Sequence, residues 1–219
     1  MGGRLGVPGG GVVGAGVGVV QPLKAMIGTI NQAAWRSFMA VLSASLNVMV
    51  NLTRIYTSTG DNGDTRLADN SVVPKTDPRI AAVGAIDEAN CAIGVALTLN
   101  PGPEITSVLQ AVQNDLFGLG ADTVTADDVA RLEDWCDRFN AELPPLRSFV
   151  LPGGCPLAAQ LHVARAVVRR AELAGWQANQ AGENPSVLRY LNRLSDLLFI
   201  LARYANRREG TSEALWSHH

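Results

Sequence analysis

No acidic side chain occurs before Asp61 in this 219-residue chain, and Arg4, Lys24 and Arg36 are the only charges before Arg54. The opening is rich in Gly and Val, as in GGGVVGAGVGVV. It lacks the ~20 unbroken apolar residues that a membrane span needs. Leu5–Leu23 is interrupted by glycines and two prolines, and Ser37–Val50 is too short. Cysteine is scarce: Cys91, Cys136 and Cys155 are widely spaced and form no CxxC pair. That excludes a disulfide framework and fits a reducing compartment. Two of the three histidines are His218 and His219, so no protein metal cage is expected. The formal charge of −2 lacks the basic surplus of a nucleic-acid binder. There is also no GK[ST] ending, and so no Walker A loop.

What remains reads as one folded domain, 49–219, preceded by a low-complexity leader, 1–48, that is disordered or loosely docked. Leu52–Thr65 is glycine-punctuated and predicts an extended arm plus a turn. Asp77-Pro78 is an N-cap followed by proline at the first helical position. It opens a helix to about Leu99, with Ile80, Val83, Ile86 and Ala89 as its apolar period. Gly84 and Gly94 in that helix predict close approach of a neighbour. A second helix is predicted over Glu104–Ala121 and a third over Ala126–Ala141, opened by Thr125. A fourth spans Pro156–Gln180, and a fifth runs from Asn184-Pro185 to about Arg208. Helices joined by short loops, without convincing alternating strands, predict an all-α, five-helix antiparallel bundle with an extended N-terminal arm.

The fourth helix carries a distinctive stripe. His162, Arg165, Arg169 and Glu172 recur at three- and four-residue steps and share a face. Leu157, Leu161, Ala164, Val168 and Ala171 form the core side. Two arginines one turn apart present guanidinium forks suited to a polyphosphate. Read alone, the stripe is equally a solvated basic face. In Thr57-Ser58-Thr59-Gly60-Asp61-Asn62-Gly63-Asp64-Thr65, glycines and hydroxyls let backbone amides approach an anion. On the fifth helix Asn192 can donate and accept, with Asp196 and Arg203 beside it on the polar side. Phe149, just before LPGG, reads by itself as a core residue.

These blocks together, with KTDPRIAAVGAIDEAN at Lys75–Asn90, resemble the PduO-type ATP:cob(I)alamin adenosyltransferases from roughly Leu52 to Trp216. The resemblance implies a bundle that assembles as a homotrimer with active sites at subunit interfaces. It implies transfer of the adenosyl group of ATP to cob(I)alamin, with triphosphate leaving and Mg²⁺ travelling with ATP. The arm Tyr56, Thr57, Ser58, Gly60, Asp61, Gly63 and Thr65 would wrap the triphosphate, with Lys75 nearby. Arg169 would bind phosphate, and Arg165 would pair with Asp87 of a neighbouring subunit. Glu172 and Asn192 would also face ATP. Phe149 would sit beneath the corrin and displace the lower axial ligand of cob(II)alamin, easing its reduction. His162 is expected to be packed or bridging, not catalytic. Where relatives carry a basic residue, this chain has Ser58 and Leu173.

The resemblance begins just after Met49, which favours reading 1–48 as an upstream extension. Cytoplasmic residence follows, or mitochondrial residence if the leader is a transit peptide. The implied partners are a reductase and a downstream B12-dependent mutase, with no nucleic acid and no membrane. A corrinoid-binding or delivery protein with little catalysis is the alternative, and a helical interaction domain the third reading.

Overall fold

A computed structural model describes residues 56, 58, 60–67, 70–120, 123–179 and 185–217. The chain divides into two compact units, Met1–Tyr56 and Thr57–His219. Of the first only Tyr56 is described, and the expectations for the leader and for Thr57 and Thr59 lie outside the described residues.

Five helices build the second unit: α1 (Pro78–Leu97), α2 (Pro103–Gly120), α3 (Ala126–Asn140), α4 (Pro156–Ala178) and α5 (Pro185–Arg208). Their starts follow local chemistry. The Asp77 carboxylate accepts from the Arg79 N–H at 2.9 Å and caps α1. At the head of α3, Asp128 accepts from the Thr125 N–H at 2.8 Å, half of a capping box. Proline opens α1, α2, α4 and α5, where its missing N–H costs nothing.

Contacts between side chains fix the helix directions. Glu104 and Asp115 of α2 reach Arg138 and Arg131 of α3, so this pair runs antiparallel, and the short link 98–102 folds α2 back on α1, where Asn90 reaches Gln113. α4 returns antiparallel to α1, with Arg170 paired to Glu88 and Gln160 to the Ala92 carbonyl. The contacts Glu133–Arg193 and Phe139–Tyr204 advance together, so α3 and α5 run parallel. Because α5 packs against both α3 and α4, 13 of its 24 residues are buried. Tyr190 is among them. Its hydroxyl donates to Asp115 at 2.7 Å, and burial holds its pKa far above the ordinary phenol value.

Four sequence expectations need correction. A short hairpin, β1 (Asp64–Arg66) with β2 (Val72–Pro74), replaces the strandless arm, with Thr65 opposite Val73. Three-residue strands are too short to show an alternating pattern. The buried face of α1 is Ala82, Ile86, Ala89, Ile93 and Ala96, whereas Val83 is 47% exposed. At Gly84 an added Cβ would meet nothing within 4 Å in this chain, so within one chain only Gly94, 3.3 Å from Gln113, serves close approach. Arg203 is not on a polar surface but buried, because the chain after α5 folds back over it and supplies Glu213. α1 is long and apolar enough to cross a membrane by length and composition, yet it lies in the bundle with Ala89, Ile93 and Ala96 fully buried.

Candidate active site

The antiparallel groove between α4 and α5 organises the site as a series of rungs. At one end Asn192 donates to the Glu172 carboxylate at 3.2 Å, which joins two of the expected ATP residues. One turn further, Arg165 and Arg169 of α4 meet Ser195, Asp196 and Phe199 of α5, and Asn140 of α3, around a cavity of about 320 Å³. Neither arginine is ion-paired among the described residues. Asp196 shares the cavity but is engaged by Arg193 at 3.0 Å, and Arg193 also binds Glu133 at 2.9 Å. Burial and the nearby Arg169 charge depress the pKa of Arg165, and its Nε is buried without a partner. Two adjacent cations without a counter-ion make a site that favours an anion.

A second chamber, of about 610 Å³, adjoins the first through two shared residues, Arg165 and Phe199. Its rim is apolar and aromatic, with Leu146, Phe149, Pro152 and Trp216. Phe149 is 77% exposed, so the core reading of this residue does not hold. Its ring lies edge-on to Trp216 with centroids 6.1 Å apart. The chain after α5 pairs antiparallel with this loop at Val150 and Leu215, and the Trp216 N–H donates to the Phe149 carbonyl at 2.8 Å.

His162 lies within the same helix face but is 3% exposed. Neither ring nitrogen has a hydrogen-bond partner among the described residues, so the histidine is packed rather than bridging. Burial, then the Arg165 charge, lowers its pKa, against a smaller opposing effect of Glu213. A neutral imidazole packed near Phe199, with ring centroids 6.0 Å apart, results.

The other expected residues lie elsewhere. Gly60, Asp61, Gly63 and Thr65 belong to the hairpin and its turn, and no hydrogen bond among the described residues joins them to Arg165 or Arg169. Gly63 has φ +87°, and its carbonyl accepts from the Lys75 N–H at 2.8 Å. The Lys75 ammonium folds over Gly60, 3.1 Å from where a Cβ would stand. Ser58 has φ +58°, and Tyr56 is exposed. Asp87 is exposed on α1 and makes no ion pair among the described residues, while its neighbour Glu88 holds Arg170. Leu173 is 64% exposed on α4. The sequence reading missed Phe199 and Trp216, which line the second chamber. Phe199 sits on the α4-facing side of α5, a position the helical period carries but the residue type does not distinguish. Among the described residues no three His, Cys, Asp or Glu side chains converge to hold a metal ion. They offer no protein cage for Mg²⁺.

A helical bundle with an arginine-lined cavity beside an aromatic-rimmed chamber is suited to an anionic ligand next to a larger one with an apolar face. The chain belongs to the cobalamin adenosyltransferase family, whose model matches residues 55–205. It is 52% identical over 190 residues to a corrinoid adenosyltransferase of Mycobacterium leprae, covering 76% of this chain and 97% of that protein. It is 57% identical over 175 residues to the corrinoid adenosyltransferase of Mycobacterium tuberculosis, covering 72% and 91%. Among solved structures, a variant PduO-type ATP:corrinoid adenosyltransferase from Lactobacillus reuteri, complexed with cobalamin and ATP, superposes with a TM-score of 0.70. The identity is 36%, covering 75% of this chain and all of that one.

Proposed function

We propose that this protein transfers the 5′-deoxyadenosyl group of ATP to cob(I)alamin, releasing triphosphate. The observation that carries the reading is the pair of adjoining chambers that share Arg165 and Phe199. ATP occupies the Glu172–Asn192 and Arg169 side, and the corrin occupies the Phe149–Trp216 side. Reduced cobalt is a strong nucleophile, so the chain needs no general base for attack on C5′. Its work is to hold two substrates in contact and to neutralise the departing triphosphate. Arg169 is exposed and unpaired, and it meets that charge. Arg165 lines both chambers, where the two substrates would meet. Phe149 presents an exposed ring that fills the corrin's lower face and excludes an axial ligand. Mg²⁺ belongs to this reading as an ion carried by the phosphates.

The reading includes a homotrimer. Asp87 and Arg165 both lack an ion-pair partner among the described residues, and α1 exposes Val83, Cys91 and Val95 beside Asp87. A neighbouring subunit that covers this face brings Asp87 to Arg165 and the hairpin to the arginine cavity. Three free cysteines suit a reducing, cytoplasmic setting.

The test is anaerobic incubation with ATP, Mg²⁺ and chemically reduced cobalamin, followed by absorbance and by assay of triphosphate. Formation of adenosylcobalamin with one triphosphate per turnover is expected. Tight corrinoid binding without turnover would instead support a delivery protein, a role to which Ser58 and Leu173 would then be relevant.

A further inference from the structure

Phe149 is exposed, yet the loop that carries it is fastened at both ends by two polar side chains of α5. Arg203 is 3% exposed, and its Nη2 donates to the Pro144 carbonyl at 3.0 Å. Asn206 accepts from the Cys155 N–H at 2.9 Å and donates to the Gly153 carbonyl at 3.2 Å. The middle of the loop is held by the segment after α5. Leu151 donates to the Ala214 carbonyl at 2.8 Å, and the Ser148 hydroxyl donates to the Trp216 carbonyl at 2.9 Å. One ion pair determines where that segment crosses α5: Arg203 Nε lies 2.9 Å from Glu213 Oε1, and Nη2 lies 3.2 Å from Oε2.

A buried guanidinium is costly without a partner, and such a pair is often no more stable than apolar residues of equal size. Its distinctive contribution is position. With Glu213 fixed over Arg203, Trp216 follows three residues later and reaches the ring of Phe149. Both Glu213 and Trp216 lie beyond the residues that the family model matches.

We infer that Arg203 and Glu213 are positioning residues for the corrinoid chamber. Their ion pair sets the register of the segment after α5, and through it the spacing of the Phe149 and Trp216 rings. This rests on the reading of that chamber given above.

The experiment compares the wild-type protein with Glu213→Ala, Glu213→Gln and the apolar pair Arg203→Met/Glu213→Leu. Circular dichroism and thermal unfolding report the fold, and KM is measured separately for ATP and cob(I)alamin. In Glu213→Ala the KM for cob(I)alamin should rise about ten-fold, while that for ATP stays within about two-fold. Glu213→Gln, which still accepts a hydrogen bond, should recover part of the loss. The apolar pair removes the buried charge along with the register and also the bond to the Pro144 carbonyl, so it should stay folded with a Tm within a few degrees of wild type and show a corrinoid defect at least as large. An apolar pair with wild-type corrinoid KM overturns the inference. So does one that unfolds, or one in which both KM values rise in step. If the wild-type protein neither binds nor adenosylates cobalamin, the proposed function itself fails, and no variant is needed to see it.

Discussion

Arg165 and Arg169 lie one helical turn apart on α4 and line one cavity, with no carboxylate among the described residues ion-paired to either. Burial, and then the nearby Arg169 charge, makes the Arg165 cation costly. The arrangement is poor for stability and good for an anion, which relieves both cations when it binds.

Replacing Arg169 by Ala should therefore weaken transition-state stabilisation by about 2–4 kcal/mol, the scale of one charge-assisted contact to a developing anion. Arg169→Lys should recover only part, because an ammonium lacks the planar fork. Steady-state kinetics with ATP varied checks this; wild-type kcat/KM in the alanine variant would remove Arg169 from the phosphate site.

Asp87 and Arg165 should couple only through assembly. Either single change should impair catalysis, and the charge-swapped double variant should regain part of it, giving a coupling of about 0.5–3 kcal/mol. Light scattering beside the kinetics tells whether the subunits still associate. Strict additivity across the cycle would mean that the two residues do not touch.

Phe149→Ala should leave stability nearly unchanged, within about 0.5 kcal/mol, as befits a ring that is 77% exposed. Turnover should fall sharply when cob(II)alamin must be reduced in the assay, and less when cob(I)alamin is supplied. The spectrum of four-coordinate cob(II)alamin in the presence of ATP should disappear. Equal losses in the two assays would remove the lower-face role.

His162 makes stability depend on pH in a definite direction. Its folded pKa is lowered below the ordinary 6.5, chiefly by burial and then by Arg165. Folding therefore favours the neutral ring, so this contribution is complete above pH 6.5. It is lost as pH falls, when the unfolded chain takes up a proton that the folded one resists. Urea midpoints measured from pH 7.5 to 5 should decline less in His162→Leu than in the wild-type protein. Parallel curves would show that His162 is not the residue titrating.

The helices were legible because their signals are local. Asp77-Pro78, Thr125 with Asp128, and the two apolar faces around Leu161 and Leu194 need no knowledge of distant chain. The α4 arginines were legible for the same reason. The second chamber was not, because its geometry depends on Trp216 crossing 67 positions to meet Phe149 (216 minus 149), and nothing near either residue encodes that meeting. Arg203 shows the failure most clearly: helical spacing placed it on a polar face, and only the returning segment with Glu213 turns that face into interior. The hairpin escaped notice because each strand is shorter than the window in which alternation can be counted.

Gly154 extends this dependence on distant chain to the mutational tolerance of the loop. Its φ of +106° already disfavours any side chain, and an added Cβ would stand 2.0 Å from Asn206 Oδ1, the atom that receives the Cys155 N–H. In a saturation library screened for function, position 154 should be emptied of every alternative for two independent reasons. Gly63 offers a contrast, with φ +87° but open space around it. There the penalty within the chain is conformational alone, about 1 kcal/mol, so Gly63→Asn should still fold, and any loss of activity would report on the triphosphate arm.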